Sequence, residues 1–355
     1  MRQASTVREP RPGATVTGRS HRARAATFFM GATLVGAALT VWLVARSGWA
    51  GVSAVMLRGG VGLLWLIPLR VGLLACEVRG WGALLGIGRR VSWFVLSWLG
   101  LVRDAVNTFL PVARIGGELV AIRLLCLKGL NAATVSASIV VETSIALVLQ
   151  ILMTVSGIAV MLGHNAGQAL LPDLLGGLGL AVVVVVIFVT IQIRVGLVST
   201  VERVIGRFWR SRATSAGALF PGLDRKVVVL YRCPSALARC AAWQVFGFVA
   251  GAAELYVMAA LMHIPLGLGQ IFVLESLIQA VHSVSFVVPG ALGVQEAGFV
   301  GLGLVLGIPA DSALALALTR RLRQVAIGLP VLASWQWYEW RARRLSSEAA
   351  VPASS

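Results

Sequence analysis

Apolar stretches close to the thickness of a bilayer recur along this chain, separated by short segments that contain arginine. A transmembrane helix needs about 20 predominantly apolar residues. Only 13% of the residues are charged, whereas soluble domains have about 25%. The sequence therefore predicts an all-α polytopic membrane protein. The apolar runs are residues 27–45, 59–78, 91–102, 131–162, 174–193, 235–262, 271–289, 297–308 and 312–337.

The distribution of arginine and lysine predicts the orientation of these runs. Residues 1–26, 194–232 and 341–344 are rich in arginine and are expected in the cytoplasm, whereas residues 164–173 and 263–270 lack both cations and should face the other side. With these segments assigned to the two sides of the membrane, residues 91–128 and 271–308 must each enter and leave the membrane on the same side. We expect six spanning helices and two re-entrant broken hairpins, or eight membrane segments.

The same pattern divides the chain into five regions. Because the cations lie between apolar runs, the net charge of +17 fits topology and anionic lipid headgroups better than nucleic acid. The regions are a disordered basic cytoplasmic tail (1–26), a first membrane half (27–193), a basic cytoplasmic linker (194–234), a second membrane half (235–340) and a cytoplasmic tail (341–355).

A short motif occurs twice, 178 residues apart. In each copy a proline is followed by glycines and, seven positions after the proline, by a glutamate. Proline breaks a helix, and glycine adopts conformations that other residues resist. Interrupted apolar segments at matching positions in two halves are typical of transporters with inverted repeats. The residues expected at the two hairpin breaks are Pro111, Gly116 and Gly117, and Pro289, Gly290 and Gly293.

Charged and polar side chains near the breaks are the candidate site, because such groups inside a membrane must face inward and pair. The candidates for substrate binding or charge transfer are Glu118, Glu296, Arg123, Arg320, Asn107 and Gln295. Two interpretations stay open. Arg123 and Arg320 pair with the two glutamates in a site for a charged or polar headgroup, or the charges are ion pairs that hold the hairpins in the bundle.

For the other polar residues inside the membrane, a simpler role is expected. Glu142, Glu254, Glu275 and His282 could form a proton relay, but an interhelical hydrogen bond satisfies each of them. Arg70 and Glu77 are expected to reach the interface from a helix end. The four cysteines form no metal motif, and neither a nucleotide-binding loop nor a hydrolase motif is present. The sequence therefore predicts no catalytic residues, no metal and no cofactor.

The residues around the two breaks resemble a known family. The strings from Asn107 to Arg123 and from Pro289 to Glu296 are similar to the two signatures of the lysylphosphatidylglycerol synthase transmembrane-region, or flippase-like, superfamily. The second string, together with Arg321, Gly328-Leu329-Pro330 and Trp335-Gln336, most resembles the hopanoid-biosynthesis-associated (HpnL) branch.

The resemblance implies a multi-pass protein of the bacterial inner membrane that acts on lipids. It implies a lipid flippase or transporter, rather than an enzyme, whose cargo is a hopanoid or another polar membrane lipid. Two alternatives remain: a scaffold for hopanoid-synthesis proteins that transports nothing, and an intramembrane enzyme that modifies a lipid headgroup.

Overall fold

The computed structural model describes residues 34–35, 38–46, 48–86, 91–110, 116–163, 222–285 and 291–348, together with residues 172, 176 and 179. Every regular element among them is helical. Three stretches of this part are long and apolar enough to cross a membrane, namely Trp49–Leu85, Ala132–Gly163 and Pro234–Leu261. The all-helical membrane class is therefore confirmed, while the count of eight membrane segments stays a prediction.

The first half begins with helical residues 38–46 and continues through six helices. They are α1 (Trp49–Gly59), α2 (Leu66–Glu77), α3 (Arg79–Leu85), α4 (Trp93–Phe109), α5 (Gly116–Leu127) and α6 (Ala132–Gly163). A 3-10 turn (Gly60–Trp65) joins α1 to α2. The helical stretch therefore begins ten residues before the apolar run at residues 59–78 that the sequence suggested.

In the described residues, one short helix of the linker precedes four helices of the second half. They are α7 (Leu223–Tyr231), α8 (Pro234–Leu261), α9 (Leu268–Val284), α10 (Val294–Val305) and α11 (Ala310–Glu348). Helix α11 passes through the arginines that interrupt the last apolar run, and it extends beyond the expected boundary at residue 340, to Glu348. Charge interrupts the hydropathy but not the backbone hydrogen bonds, because arginine is a good helix former.

The two halves share one helical pattern. Helices α4 and α9 both have 17 residues, and α5 and α10 both have 12. The turns that follow also match: Gly129 and Gly307 have φ of 84° and 76°. The next residue in each turn donates its N–H to a carbonyl five positions back, Leu130 to Leu125 at 3.1 Å and Ile308 to Gly303 at 2.8 Å. This is the Schellman arrangement that ends a helix.

Each short helix folds back against the helix before it. In the first pair, a Cβ on Gly117 would lie 2.5 Å from the carbonyl oxygen of Arg103, so only glycine permits this approach. In the second pair, Gln270, near the start of α9, donates to the carbonyl of Leu306, just past α10, at 2.9 Å. The helices of each pair are therefore antiparallel. The residues between them, including Pro111, Pro289 and Gly290, lie outside the described part of the chain.

Each hairpin packs against the long helix of the opposite half. Gln150 of α6 donates to the carbonyl of Ser276 in α9 at 3.4 Å, and Trp98 of α4 donates to Ser334 of α11 at 3.0 Å. The most extensive helix contacts in the described residues are these two, α6 with α9 and α4 with α11. The interior of the bundle therefore lies where both hairpins and both long helices meet.

Polar and apolar side chains are distributed as expected in lipid. Leu57, Val61 and Phe94 are 77%, 82% and 76% exposed, whereas Glu275 and Glu296 are 0% and 1% exposed. Burying charge in a bundle and exposing large apolar side chains is favourable only when lipid surrounds the protein.

Parts of the predicted organisation fall outside the described residues. These are the tail at residues 1–26, most of the run at 174–193, residues 194–221 of the linker and the end of the chain from residue 349. The part of the linker that the structure describes is α7, and this helix packs against the bundle. Its Leu223, Val227 and Leu230 are buried in a cluster with residues of α6 and α8.

Candidate functional site: a polar chamber between the hairpins

The first hairpin is held by a cation between two carboxylates. Arg103 of α4 lies 2.6 Å from Glu118 of α5 and 3.0 Å from Glu142 of α6. Asn107, one turn after Arg103, accepts a hydrogen bond at 2.9 Å from the N–H of Gly117, and its amide nitrogen lies 3.4 Å from Glu118. Glu118 is in the first turn of α5, where the helix dipole also favours a negative charge.

The second hairpin is held by the reverse arrangement, with cations on the long helix. Arg321 of α11 donates to Glu296 at 2.9 and 3.1 Å, and Glu296 is in the first turn of α10. Arg320 donates two hydrogen bonds to Glu275 of α9, at 2.8 and 3.0 Å. In each half, ion pairs therefore join the two arms of the hairpin to the following long helix.

A polar cavity of about 220 Å³ lies between these elements, and we call it the central chamber. It is lined by α2, α4, α9, α10 and α11. Its polar lining residues are Arg70, Asp104, Gln279, His282, Gln295, Arg320, Arg323 and Gln324.

The three arginines of the chamber each have a carboxylate partner. Arg320 pairs with Glu275, Arg323 with Glu254, and Arg70 with Glu77 at 3.1 Å. Asp104 is the exception among the chamber's charged groups, because it is exposed and forms no ion pair in the described structure. A carboxylate of this kind, accessible from the chamber, is available to a ligand.

The residues that form this bundle match one family. The model for the lysylphosphatidylglycerol synthase TM region matches residues 29–331, which include the chamber and both hairpins. The chain belongs to the lysylphosphatidylglycerol synthase TM-region family. Comparison with curated proteins and with solved structures gives no match. Together with its apolar helices, membership of this family makes the chain a multi-pass membrane protein with a lipid-related role.

In this family member, the predicted site residues do not form a single cluster. Gln295 and Arg320 line the chamber, and Glu296 is next to Gln295. Glu118 and Asn107 lie in the first hairpin, where Glu118 pairs with Arg103. Gly116, Gly117 and Gly293 border the helix pairs, and Gly293 has φ of 74°, which favours glycine.

The expected cation partners of the two glutamates were wrong. Arg123 bonds Glu339 at 2.9 Å, because five residues along a helix rotate it about 140° away from the face of Glu118. Arg320 forms an ion pair with Glu275, and its neighbour Arg321 forms one with Glu296. Arg70 and Glu77 pair inside the bundle instead of reaching the interface.

Several chamber residues were missed from the sequence. Asp104, Gln279 and Gln324 lie in α4, α9 and α11, and sequence reasoning gave them no role. A signal was present in α9, where Glu275, Gln279 and His282 are spaced at i, i+4 and i+7. This spacing places three polar side chains on one helical face.

Proposed function

We propose that this protein is a lipid transporter of flippase type that carries a polar headgroup through the central chamber. The observation that carries the proposal is a chamber lined by charged and amide side chains inside a bundle with an apolar exterior. Polar residues inside a membrane protein are costly and usually mark a substrate or ion path. Family membership supports a lipid as the cargo.

The repeated helical pattern supports alternating access. Each hairpin packs against the long helix of the other half, so movement of one half against the other would open the chamber to one side at a time. Such motion around a central site is the usual mechanism of transporters built from repeats. We propose that the two halves are inverted with respect to each other and that both termini are cytoplasmic, in the bacterial inner membrane.

We further propose a hopanoid or its polar derivative as the cargo, on the resemblance of residues 288–296 and 321–336 to the hopanoid-associated branch. No catalytic step is part of the proposal. The protein acts by binding a lipid and exposing it to alternate sides.

A reconstitution experiment separates transport from scaffolding. A hopanoid with a polar headgroup and a dithionite-sensitive fluorophore is incorporated into proteoliposomes, and dithionite is added outside. In protein-free vesicles only the outer leaflet is reduced, whereas a transporter also makes the inner pool available. The same residual fluorescence with and without protein would refute transport and favour the scaffold.

A further inference from the structure

Two more cavities adjoin the central chamber through shared lining residues. A cavity of about 150 Å³, which we call the neck, shares Arg70 and Gln279 with the chamber. A third cavity of about 450 Å³, the side groove, shares Met153 and Phe248 with the neck. The three cavities therefore lie in a series, from the side groove between α6, α8 and α9 to the central chamber, and we call this series the path.

Polarity increases between the side groove and the two inner cavities. The side groove is lined almost entirely by apolar atoms, including those of Val249 and Leu268, which are 58% and 74% exposed. The neck adds the amides of Gln150 and Gln244, and the chamber is predominantly polar. This gradient fits one amphipathic molecule, with its apolar part in the groove and its polar part in the chamber.

The charge of the chamber argues against an anionic headgroup. Arg70, Arg320 and Arg323 each have a glutamate partner, and Asp104 adds a negative charge that forms no ion pair among the described lining residues. Phosphate recognition relies on cations that donate hydrogen bonds to the phosphate oxygens. Here each of these cations already has a carboxylate as its counter-charge.

Two residues that line the chamber each have a buried polar atom without a hydrogen-bond partner, and hydroxyl groups would satisfy both atoms. Gln295 is 4% exposed and its Oε1 lacks a hydrogen-bond donor, while Arg323 is 7% exposed and its Nε lacks an acceptor. Buried polar atoms are normally satisfied. A hydroxyl can donate to Gln295 and accept from Arg323, whereas an ionised phosphate oxygen can only accept.

We infer that one lipid occupies the whole path and that its headgroup is rich in hydroxyls and carries no negative charge. The inference rests on the proposed function and adds to it the headgroup class and the route. A hydroxyl-rich headgroup also suits the amides of Gln279 and Gln324, which both line the chamber.

Binding of two matched probes to the detergent-solubilised full chain tests the headgroup class. The probes are glucosyl diacylglycerol and phosphatidylglycerol, each with the same acyl-chain fluorophore, and binding is measured by fluorescence anisotropy. We expect phosphatidylglycerol to bind about tenfold more weakly. Equal binding, or tighter binding of phosphatidylglycerol, would overturn the inference.

A matched pair of variants tests the route. Ala253 and Ala260 are both exposed on α8, but only Ala253 lines the side groove. We expect Ala253→Trp to weaken glucosyl diacylglycerol binding about tenfold and Ala260→Trp to leave it unchanged. The same affinity in both monodisperse variants would show that the side groove is not part of the lipid path. If Ala253→Trp does not fold, it is replaced by Gln279→Leu, whose side chain lines both the chamber and the neck. We expect the same loss of binding in this variant, and unchanged binding would refute the path.

The inference and the proposed function fail in different ways. Selective binding of the glucosyl lipid with no dithionite-detected movement would leave the binding path intact and refute transport. Equal movement of both probes would support transport and refute the headgroup class.

Discussion

Glu275 is fully buried and receives two hydrogen bonds from Arg320, at 2.8 and 3.0 Å. The pair joins α9, the first arm of the second hairpin, to the long helix α11. Arg320 also lines the central chamber. One ion pair therefore both fixes the hairpin and sets the charge of the chamber wall, because the carboxylate neutralises a guanidinium that would otherwise attract anions.

Removing the carboxylate of this pair should destabilise the protein. In Glu275→Gln the largely buried Arg320 loses its counter-charge, at a cost of about 3–5 kcal/mol. We expect a lower melting temperature in detergent and less folded protein. The double variant Glu275→Gln/Arg320→Gln should recover part of the loss, since no buried charge is left unpaired. Additive losses in the double variant would show that the two side chains do not act as a pair.

The close approach of α4 and α5 depends on Gly117. A Cβ there would lie 2.5 Å from the backbone of Arg103, which cannot move without shifting a helix. We expect Gly117→Ala to lower stability by about 1–3 kcal/mol. Gly72→Ala in α2 is the matched control, because no atom outside its own helix lies within 4 Å of the added Cβ. Equal melting temperatures for the two variants would contradict the antiparallel packing.

The sequence predicted the helical class, which the structure confirms, and a role for the charges near the breaks, which stays a prediction. Periodicity and composition are local properties, so breaks at Pro111 and Pro289 were predicted from proline and glycine alone, and both residues lie outside the described part of the chain. The ion-pair partners could not be identified in this way. Arg320 and Arg321 are adjacent, and only the rotation of α11 against α9 and α10 decides which glutamate each one meets.

Asp104 shows why part of the site was also hidden from the sequence. It follows Arg103 directly, and in sequence the two look like a local charge pair. In the structure Arg103 points to Glu118 and Glu142, while Asp104 lines the chamber. Neighbouring residues on a helix point about 100° apart, so their roles separate only when the packing of all the helices is known.

The orientation of the chain can be tested at the linker. Residues 194–232 are predicted to be cytoplasmic because of their arginine content. In a variant without its four native cysteines, a cysteine at Ser215 should resist an impermeant thiol reagent in intact cells and react after lysis. Labelling from the periplasm would refute both the topology and the inverted repeat.

Glu118 and Glu296 are predicted to matter for transport and not for folding. After Glu118→Gln, Arg103 keeps Glu142 as a partner, and after Glu296→Gln, Arg321 keeps Gln324 at 3.3 Å. We therefore expect normal abundance and loss of lipid transport in both variants. Glu142→Gln is the control, because it leaves Arg103 paired with Glu118 and should keep transport. Normal transport in all three variants would exclude a role for charge beside the breaks.

The most direct test of the chamber as the transport site is Asp104→Asn. Asp104 is exposed to the chamber and forms no ion pair in the described structure, so its neutralisation should change stability by no more than about 0.5 kcal/mol. Transport in the dithionite assay and melting temperature are measured on the same preparation. We predict an unchanged melting temperature with transport abolished. Wild-type transport by a folded Asp104→Asn protein would contradict the account.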